Sequence, residues 1–203
     1  MSEKDFAVVI KGHYLEYYDD EHIYLVDGVI VPSVSEILSV KFGGKYSGVD
    51  KTTLRKAAEA GTAVHEAIEQ LCKTGEADTD IPEVRNFLWL KKQYGFEVVS
   101  NELPVLLSKG GKPIAAGRLD MVLSMNKELG IADIKRTSVL DKEYVAFQTN
   151  IYRIAFQQSY DLDAKFLRVI HLRENVRKFV PLPINPEMAI GLVEDFLERK
   201  NDE

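Results

Sequence analysis

Three ionisable residues in the middle of the chain have the types and spacing of a metal-assisted hydrolytic site. Asp120 ends a Gly-Arg-Leu-Asp segment, and an Asp-Ile-Lys segment begins thirteen residues later with Asp133 and ends with Lys135. Both segments lie in apolar, β-branched sequence, so Asp133 and Lys135 are predicted to point to the same side of a strand. Two carboxylates and an ammonium on neighbouring strands would suit a divalent cation, a phosphate and an activated water. The pattern indicates phosphodiester hydrolysis.

The acidic pair and the lysine have two interpretations. In the first, Asp120 and Asp133 bind Mg²⁺ or Mn²⁺, the Ile134 carbonyl completes the metal shell, and Lys135 holds or deprotonates the attacking water. In the second, Asp133 and Lys135 form a structural ion pair on the sheet, since buried ion pairs often serve structure. The Asp-x-Lys triplet alone does not separate them, and Asp120 on the preceding strand favours the metal site.

Five further polar residues are candidates for the same region. His65 and Glu69 share a helix face at i, i+4, and a neutral imidazole could complete a metal shell, although a lone helical histidine often serves the core or the surface. Gln148 and Tyr152 share a face of the helix after the Asp-x-Lys strand, where they would position a phosphate or stack on a base, or form the polar edge of an amphipathic helix. Glu69 and Glu102 would contact the metal ligands rather than the metal itself, and the alternative for Glu102 is a solvent-exposed side chain.

The composition is that of one globular domain, 1–203, with a substantial core: 45% of residues are apolar and 29% charged. No apolar run approaches a membrane span and the N-terminal residues do not form a signal peptide, so the expectation is a cytoplasmic protein without membrane association. The single cysteine, Cys72, excludes an internal disulfide and a four-cysteine iron–sulfur cluster.

The net charge of −6 argues weakly against a general nucleic-acid binder. It does not argue against a nuclease, because a metal site adds carboxylates and substrate contact needs only a local basic surface. Two basic stretches are available for such contact, and the alternative for each is a solvated face. They are Lys41, Lys45, Lys51, Arg55 and Lys56 in one, and Arg168, Arg173, Arg177 and Lys178 in the other.

The periodicity predicts an α/β or α+β domain with a mixed sheet flanked by helices. A hairpin is expected at 13–18 and 21–26, and a short strand at 29–31. A glycine-bearing loop is expected at 42–48. Helices are expected from the Ser33 capping box to about 40, over 51–73 with a break at Gly61 and a new N-cap at Thr62, over 82–94, over 141–160, and from Pro186. Strands are expected near 97–107, 113–124, 129–136, 164–172 and 177–182.

The order of these motifs resembles the RecB-type exonuclease branch of the PD-(D/E)XK nuclease superfamily. The pattern is G-T-x-x-H-x-x-x-E, an isolated Glu, G-R-L-D, D-x-K and Q-x-x-x-Y. It is found here at residues 61–69, 102, 117–120, 133–135 and 148–152. Residues 22–28 and 31–38 are also similar to the entry segment of phage exonucleases and mitochondrial genome maintenance exonucleases. The resemblance covers about residues 20 to 160.

The resemblance implies a restriction-endonuclease-like core that hydrolyses DNA with one or two metal ions, usually from an end. It makes His65, Asp120 and Asp133 metal ligands. It makes Lys135 the catalytic lysine and Gln148 with Tyr152 the adjoining catalytic motif. We also expect DNA contacts from three arginines in or beside these motifs, Arg118, Arg136 and Arg153.

The sequence therefore predicts a stand-alone deoxyribonuclease that uses Mg²⁺ or Mn²⁺, has no iron–sulfur cluster, and acts in phage or prophage recombination or repair. Its expected partner is a single- or double-stranded DNA end. A phage single-strand annealing or binding protein is a candidate second partner, and a homo-oligomer is a candidate assembly. The alternatives are a structure-selective endonuclease of the junction-resolvase type and a non-catalytic DNA-binding module.

Overall fold

The computed structural model describes residues 5–19, 21–44 and 48–201. Within them the chain has a mixed α+β architecture with two sheets and five helices, as the periodicity predicts. The strands are β1 (Phe6–Ile10), β2 (His13–Tyr18), β3 (Ile23–Val26), β4 (Val29–Val31), β5 (Glu97–Lys109), β6 (Lys112–Met125), β7 (Glu128–Lys135), β8 (Phe166–Arg173) and β9 (Val176–Leu182). The helices are α1 (Val34–Phe42), α2 (Lys51–Thr74), α3 (Pro82–Tyr94), α4 (Lys142–Tyr160) and α5 (Pro186–Asn201).

The N-terminal sheet is antiparallel with the order β1-β2-β3-β4. The predicted hairpin is confirmed, with Tyr17 opposite Tyr24. The sequence interpretation missed β1, which pairs with β2 through the turn at Lys11 and Gly12. Residue 20 of the predicted hairpin turn and residues 45–47 of the predicted loop lie outside the described residues.

The central sheet has the order β5-β6-β7-β8-β9, in which only the β7–β8 pair is parallel. A parallel pair needs a crossover, and α4 supplies it between β7 and β8. Neighbouring apolar residues of a strand point to opposite faces of the sheet, so both faces are apolar and both are covered by helices. Val122 and Ile131 pack with α1, α4 and α5, whereas Leu123 and Ala132 pack with α2 and α3.

Helix α2 runs through Gly61 without a break, so the predicted interruption and the Thr62 N-cap are wrong. The helix begins at Asp50, whose side chain accepts a hydrogen bond from the Thr53 amide, and ends at Gly75 in the left-handed conformation. One interior glycine costs about 1 kcal/mol, which is too little to end a helix anchored at both ends and by buried packing beyond the glycine. Residues 51–74 therefore present one continuous face to the sheet.

No helix in the described part of the chain is long and apolar enough to cross a membrane.

Candidate metal centre

Three carboxylates form one row across β5, β6 and β7. The residues on either side of Glu102 in β5 both pair with residues of β6, and this register places Glu102 opposite Asp120. The register of β6 on β7, continued by one residue, places Asp120 opposite Asp133. Adjacent strands lie about 4.8 Å apart, so residues far apart in sequence are brought within a few ångströms of one another.

A histidine and two of these carboxylates form a group that could hold a metal ion. His65 Nδ1 lies 3.7 Å from Glu102 Oε1 and 3.8 Å from Asp120 Oδ2. The ligand atoms of all three residues lie within 4.8 Å of one another. Two ligands on one ion, each at about 2.2 Å and at angles between 90° and 180°, are about 3 to 4.5 Å apart, so this spacing fits a shared cation. We call His65, Glu102 and Asp120 the metal triplet.

Backbone groups of β7 fix two members of the metal triplet. The Ile134 amide donates to Asp120 Oδ2 at 2.7 Å. The Ile134 carbonyl lies 3.1 Å from His65 Nε2, so this nitrogen carries the proton and Nδ1 faces the carboxylates. The sequence predicted the same carbonyl as a metal ligand. The structure places it against the histidine, in the position of a group that orients a metal-binding imidazole.

Glu102 has a larger part in the site than the sequence indicated. Its side chain, expected to be an outer acid or exposed, belongs to the metal triplet and is 18% exposed. Its φ of 46° lies in the left-handed region, which is rare for a non-glycine residue inside a strand. Strained backbone of this kind is common at functional sites. The available signals were its position as the isolated Glu of the motif order and its place as an acid inside the strand predicted near 97–107.

The electrostatics of the metal triplet favour a positive charge at its centre. Burial alone lowers the pKa of His65, but the Asp120 carboxylate and the interaction with Glu102 outweigh burial and raise this pKa to about 9. At neutral pH and without a metal the histidine is therefore protonated, and its single positive charge offsets one of the two carboxylates. The same carboxylates would stabilise a divalent cation.

Asp133 lies next to the metal triplet but is held by Lys135. Lys135 Nζ donates to Asp133 Oδ1 at 2.9 Å. The second oxygen, Oδ2, lies 2.7 Å from the same nitrogen without the geometry of a hydrogen bond, so it has no hydrogen-bond partner in the described structure. The predicted common orientation of Asp133 and Lys135 is confirmed. The Asp133 side chain is 3% exposed, and its ligand atoms do not belong to the metal triplet.

The neighbouring carboxylates keep Lys135 protonated. Burial lowers the pKa of Lys135, but Asp133 and Asp120 raise it overall, and the side chain remains 21% exposed to the cleft. Burial raises the pKa of Asp133 to about 6, against the lowering effect of Lys135. The arrangement contains the ion pair of the second sequence interpretation, and it also presents an ammonium beside the metal triplet. In this state Lys135 can orient a water or offset negative charge, but it is not a base.

Gln148 and Tyr152 of α4 lie beside the row of carboxylates, as the sequence predicts for residues of one helix face. Both are buried, and both line the cleft. Burial, then Tyr24 and Asp120, raise the pKa of Tyr152 well above its ordinary value, while a hydrogen bond with Gln148 lowers it, so the phenol stays neutral and can donate. Gln148 Oε1 has no hydrogen-bond partner within the residues described, which leaves an acceptor beside the site.

The glycine of the Gly-Arg-Leu-Asp segment makes room for Tyr152. A Cβ at Gly117 would lie 2.8 Å from a Tyr152 ring carbon and 3.1 Å from a Val34 methyl group. We predict that Gly117→Ala lowers the free energy of unfolding by about 1–3 kcal/mol through overpacking, measured by urea unfolding. Gly61→Ala is the matched control. Its Cβ would meet nothing within 4 Å, so it should stabilise by about 0.5–1 kcal/mol. Equal effects of the two changes would contradict the close approach.

Arg118 and Arg136 line the cleft, but both are ion-paired. Arg118 Nε lies 2.7 Å from Glu102 Oε2, and its Nη1 lies 3.2 Å from Asp5 Oδ2. Arg136 Nε donates to Glu83 Oε1 at 2.8 Å. Their expected DNA contacts therefore compete with carboxylates already in place, and Arg118 also holds Glu102 in position.

The structure does not bring Arg153 to the cleft. Its Nε donates to the Ala164 carbonyl at 2.7 Å and its Nη2 pairs with Asp163, which ties α4 to the segment before β8. Glu69 does line the cleft, one turn beyond His65, and pairs with Lys73 at 2.6 Å. The contacts of Arg153 and the ion pair of Glu69 with Lys73 are structural.

The metal triplet opens into a cleft of about 850 Å³ between α2, α4 and the two sheets. The hairpin of β2 and β3 contributes Tyr17, Tyr24 and the turn residue His22 to its wall, which the sequence interpretation did not assign to the site. The Tyr17 hydroxyl donates to Asp19 at 2.8 Å and lies 3.1 Å from His22 Nδ1. The run of tyrosines around the hairpin was the available signal for this wall.

Comparison with known proteins gives limited context. No protein-family model matches the sequence, and no curated protein matches it. Among solved structures, the chain is similar to the crystal structure of SSO0001, with a TM-score of 0.48 and 16% sequence identity. The match covers 83% of this chain and 75% of that chain. A similarity of this degree carries no argument about function.

Proposed function

We propose that this protein is a metal-dependent deoxyribonuclease with a restriction-endonuclease-like core of the PD-(D/E)XK type. One observation carries the proposal: the metal triplet of His65, Glu102 and Asp120 lies beside the Asp133–Lys135 pair at the base of an open cleft. The mixed five-stranded sheet with helices on both faces supports the proposed core.

The donor set fits a hard or borderline divalent cation. Carboxylate oxygens are the preferred ligands of Mg²⁺ and Mn²⁺, and Mn²⁺ also accepts an imidazole nitrogen. The carboxylates of Glu102 and Asp120 raise the pKa of His65, which indicates that the site favours an additional positive charge. A bound Mg²⁺ or Mn²⁺ would supply Lewis-acid polarisation of a phosphate and acidify water.

The remaining side chains have roles that follow from their contacts. Lys135, protonated and facing the cleft, orients the attacking water and offsets charge on the phosphate in the transition state. The neutral Tyr152 phenol donates a hydrogen bond to a phosphate oxygen, and the unpartnered Gln148 Oε1 accepts a hydrogen bond from the water. Asp133 keeps the ammonium in place, which makes the ion pair part of the catalytic arrangement.

Digestion of defined DNA substrates tests the proposal. Labelled single- and double-stranded linear DNA should be degraded with Mn²⁺ or Mg²⁺ and remain intact with a chelator. Covalently closed circular DNA separates the two enzymatic alternatives, because an end-dependent exonuclease leaves it whole and an endonuclease opens it. Failure to cleave any of these substrates with either metal would contradict the proposal and leave a non-catalytic DNA-binding module as the alternative.

Metal binding should release a proton and tighten as the pH rises. Since the pKa of His65 is about 9 without metal, a cation at Nδ1 must displace that proton at neutral pH. We expect Mn²⁺ affinity to rise by up to about tenfold per unit between pH 6.5 and 8.5, and to level off above about pH 9. Titration calorimetry in buffers of different ionisation enthalpy should show about one proton released at pH 7. His65→Ala should abolish the release, and a pH-independent affinity would contradict the ligand assignment.

A further inference from the structure

A smaller pocket opens from the cleft between the β2–β3 hairpin and the start of α1. Its volume is about 360 Å³. Five residues line both spaces, so the pocket and the cleft are continuous: Tyr17, His22, Tyr24, Ser35 and Tyr152. Gly117, which also lines the pocket, lies three residues before Asp120 on β6, or about 10 Å along the strand. The pocket is therefore adjacent to the metal triplet.

Hydroxyl groups dominate the lining of this pocket. They belong to three tyrosines and two serines, namely Tyr17, Tyr24, Tyr152, Ser33 and Ser35, and we call the space that these residues line the hydroxyl pocket. Tyr24 is only 8% exposed, and its ring is stacked on that of Tyr17 with the centres 4.5 Å apart. Its hydroxyl group nevertheless has no hydrogen-bond partner among the residues that the structure describes. Because an unmatched polar group on a buried side chain is costly, this hydroxyl is a ready contact for a ligand.

The first turn of α1 adds two backbone donors to the hydroxyl pocket. The capping box satisfies the Glu36 amide, which donates to Ser33 Oγ at 3.1 Å. The amides of Val34 and Ser35 have no acceptor within the described ranges of the chain, as expected for the first amides of a helix. Both residues line the pocket. The pocket thus combines two free amides with the unpartnered Tyr24 hydroxyl.

The charges around the hydroxyl pocket favour a neutral ligand over a phosphate. No lysine or arginine is found among the described residues that line it. The Glu36 carboxylate accepts from the Ser33 amide at 2.6 Å and brings a negative charge to the same end of α1. Asp19 brings another where it accepts from the Tyr17 hydroxyl at 2.8 Å. Neutral donors and acceptors suit a nucleobase, whose edge carries groups of both kinds.

We propose that the hydroxyl pocket binds the base of one unpaired nucleotide next to the scissile phosphate, with the base edge hydrogen-bonded to the Tyr24 hydroxyl and to the Val34 and Ser35 amides. This inference rests on the proposed function for the identity of the polymer. The volume lies near the lower end of the range for ligand pockets, about 300–1,000 Å³, which suits one base and not a base pair. A base within a duplex has its edge occupied by its partner, so the pocket selects a single strand or a frayed end.

Titration with free nucleosides in the presence of a chelator tests the pocket without any cleavage. Thymidine, deoxycytidine and deoxyadenosine are added separately, and ¹H–¹⁵N spectra report the backbone amides. At least one nucleoside should shift the Val34 and Ser35 signals to saturation with a Kd of about 0.1–10 mM, the range expected for a ligand of this size. The abasic sugar 1,2-dideoxyribose should bind at least about tenfold more weakly, because it lacks the base.

Tyr24→Phe removes the unpartnered hydroxyl and leaves the ring in place. It should raise the Kd of the bound nucleoside by about 2- to 10-fold, the value of one hydrogen bond. Tyr94→Phe is the matched control, because Tyr94 is 47% exposed and lies outside the pocket, so its loss of a hydroxyl should not change the Kd. Equal Kd values in Tyr24→Phe and the wild type would overturn the assigned hydrogen bond.

Strands that lack a single base test whether the pocket serves the scissile phosphate. Single-stranded linear DNA with one abasic nucleotide at a defined position should be cleaved more slowly at a bond beside that nucleotide than at the same bond of the intact strand. The defect should be smaller in Tyr24→Phe than in the wild type, because the variant has already lost part of the contact with the base. Equal defects in the two proteins would overturn the link between the pocket and the cleaved bond.

The nuclease and the hydroxyl pocket fail in different ways. If the wild type cleaves DNA while no nucleoside shifts the Val34 and Ser35 signals below about 20 mM, the base assignment is wrong and the nuclease stands. If a nucleoside binds as expected and Tyr24→Phe weakens it, but no DNA is cleaved with metal, the nuclease proposal is wrong and the pocket stands as a nucleoside site. Binding of 1,2-dideoxyribose as tight as that of the nucleosides would overturn recognition of the base.

Discussion

Asp120→Asn should abolish metal binding and with it DNA cleavage. Asp120 Oδ2 faces His65 Nδ1 at 3.8 Å and accepts from the Ile134 amide at 2.7 Å. Replacing the carboxylate with an amide removes the negative charge and one metal ligand. We expect Mn²⁺ affinity to fall by more than about 100-fold, since even indirect supports of a metal site are worth 10- to 100-fold. The cleavage rate should fall by about 10³-fold or more, which corresponds to about 4 kcal/mol.

The fold should survive this change. The asparagine oxygen can still accept from the Ile134 amide, so far-ultraviolet circular dichroism should be unchanged. Glu66→Gln is the matched control, because Glu66 is an exposed acid on the same cleft that does not belong to the metal triplet. Calorimetric titration with Mn²⁺ and the nuclease assay measure both effects. Wild-type metal affinity in Asp120→Asn would show that the cation binds elsewhere.

Lys135→Met should remove cleavage while leaving the metal triplet intact. The ammonium is the cation that we assign to the water and the phosphate, and loss of a comparable charge-stabilising donor costs about 10² to 10³ in rate. Mn²⁺ binding should persist, because Lys135 is not one of the three ligands. The split between retained binding and lost rate is what distinguishes an orienting lysine from a structural one.

Lys135→Met should also destabilise the protein, and the loss of unfolding free energy should depend on pH. Lys135 is the only ion-pair partner of Asp133 among the described residues, so its loss leaves a buried carboxylate alone at a cost of about 3–5 kcal/mol. Without the lysine the pKa of Asp133 rises further above about 6, so the destabilisation is largest above that pH and shrinks as the acid protonates. Urea unfolding at pH 5 and pH 8 measures this.

A double variant separates stability from chemistry. Asp133→Asn combined with Lys135→Met removes both charges, so most of the stability should return while cleavage stays absent. If Lys135→Met alone retains wild-type cleavage, the second sequence interpretation is correct and the pair serves only the sheet.

Much of the architecture could be predicted because the relevant signals are local. The change from a 3.6-residue to a two-residue period at Glu97 marks where the central sheet begins, and the observed strand agrees. The prediction that Asp133 and Lys135 share one strand face required only that side chains alternate along a strand. The capping box at Ser33 and Glu36 forms as its spacing predicts.

The features that were missed depend on contacts between distant segments. Glu102 enters the metal triplet because the register of β5 on β6 and its left-handed backbone direct it there, and neither is visible in a strand pattern. Arg136 is neutralised by Glu83 from a helix more than fifty residues earlier. Gly61 resembles a helix break locally, but packing of Val64 and Ile68 beyond it decides the outcome.

We propose that His65, Glu102 and Asp120 hold the cation for phosphodiester hydrolysis. Crystals soaked in Mn²⁺ test it most directly, through the anomalous scattering of manganese. We expect one strong anomalous peak at about 2.0–2.6 Å from His65 Nδ1 and from a carboxylate oxygen of both Glu102 and Asp120. We also expect that the peak is absent from Asp120→Asn crystals. A peak bound through Asp133 without His65, or no peak at a concentration that supports DNA cleavage, would contradict it.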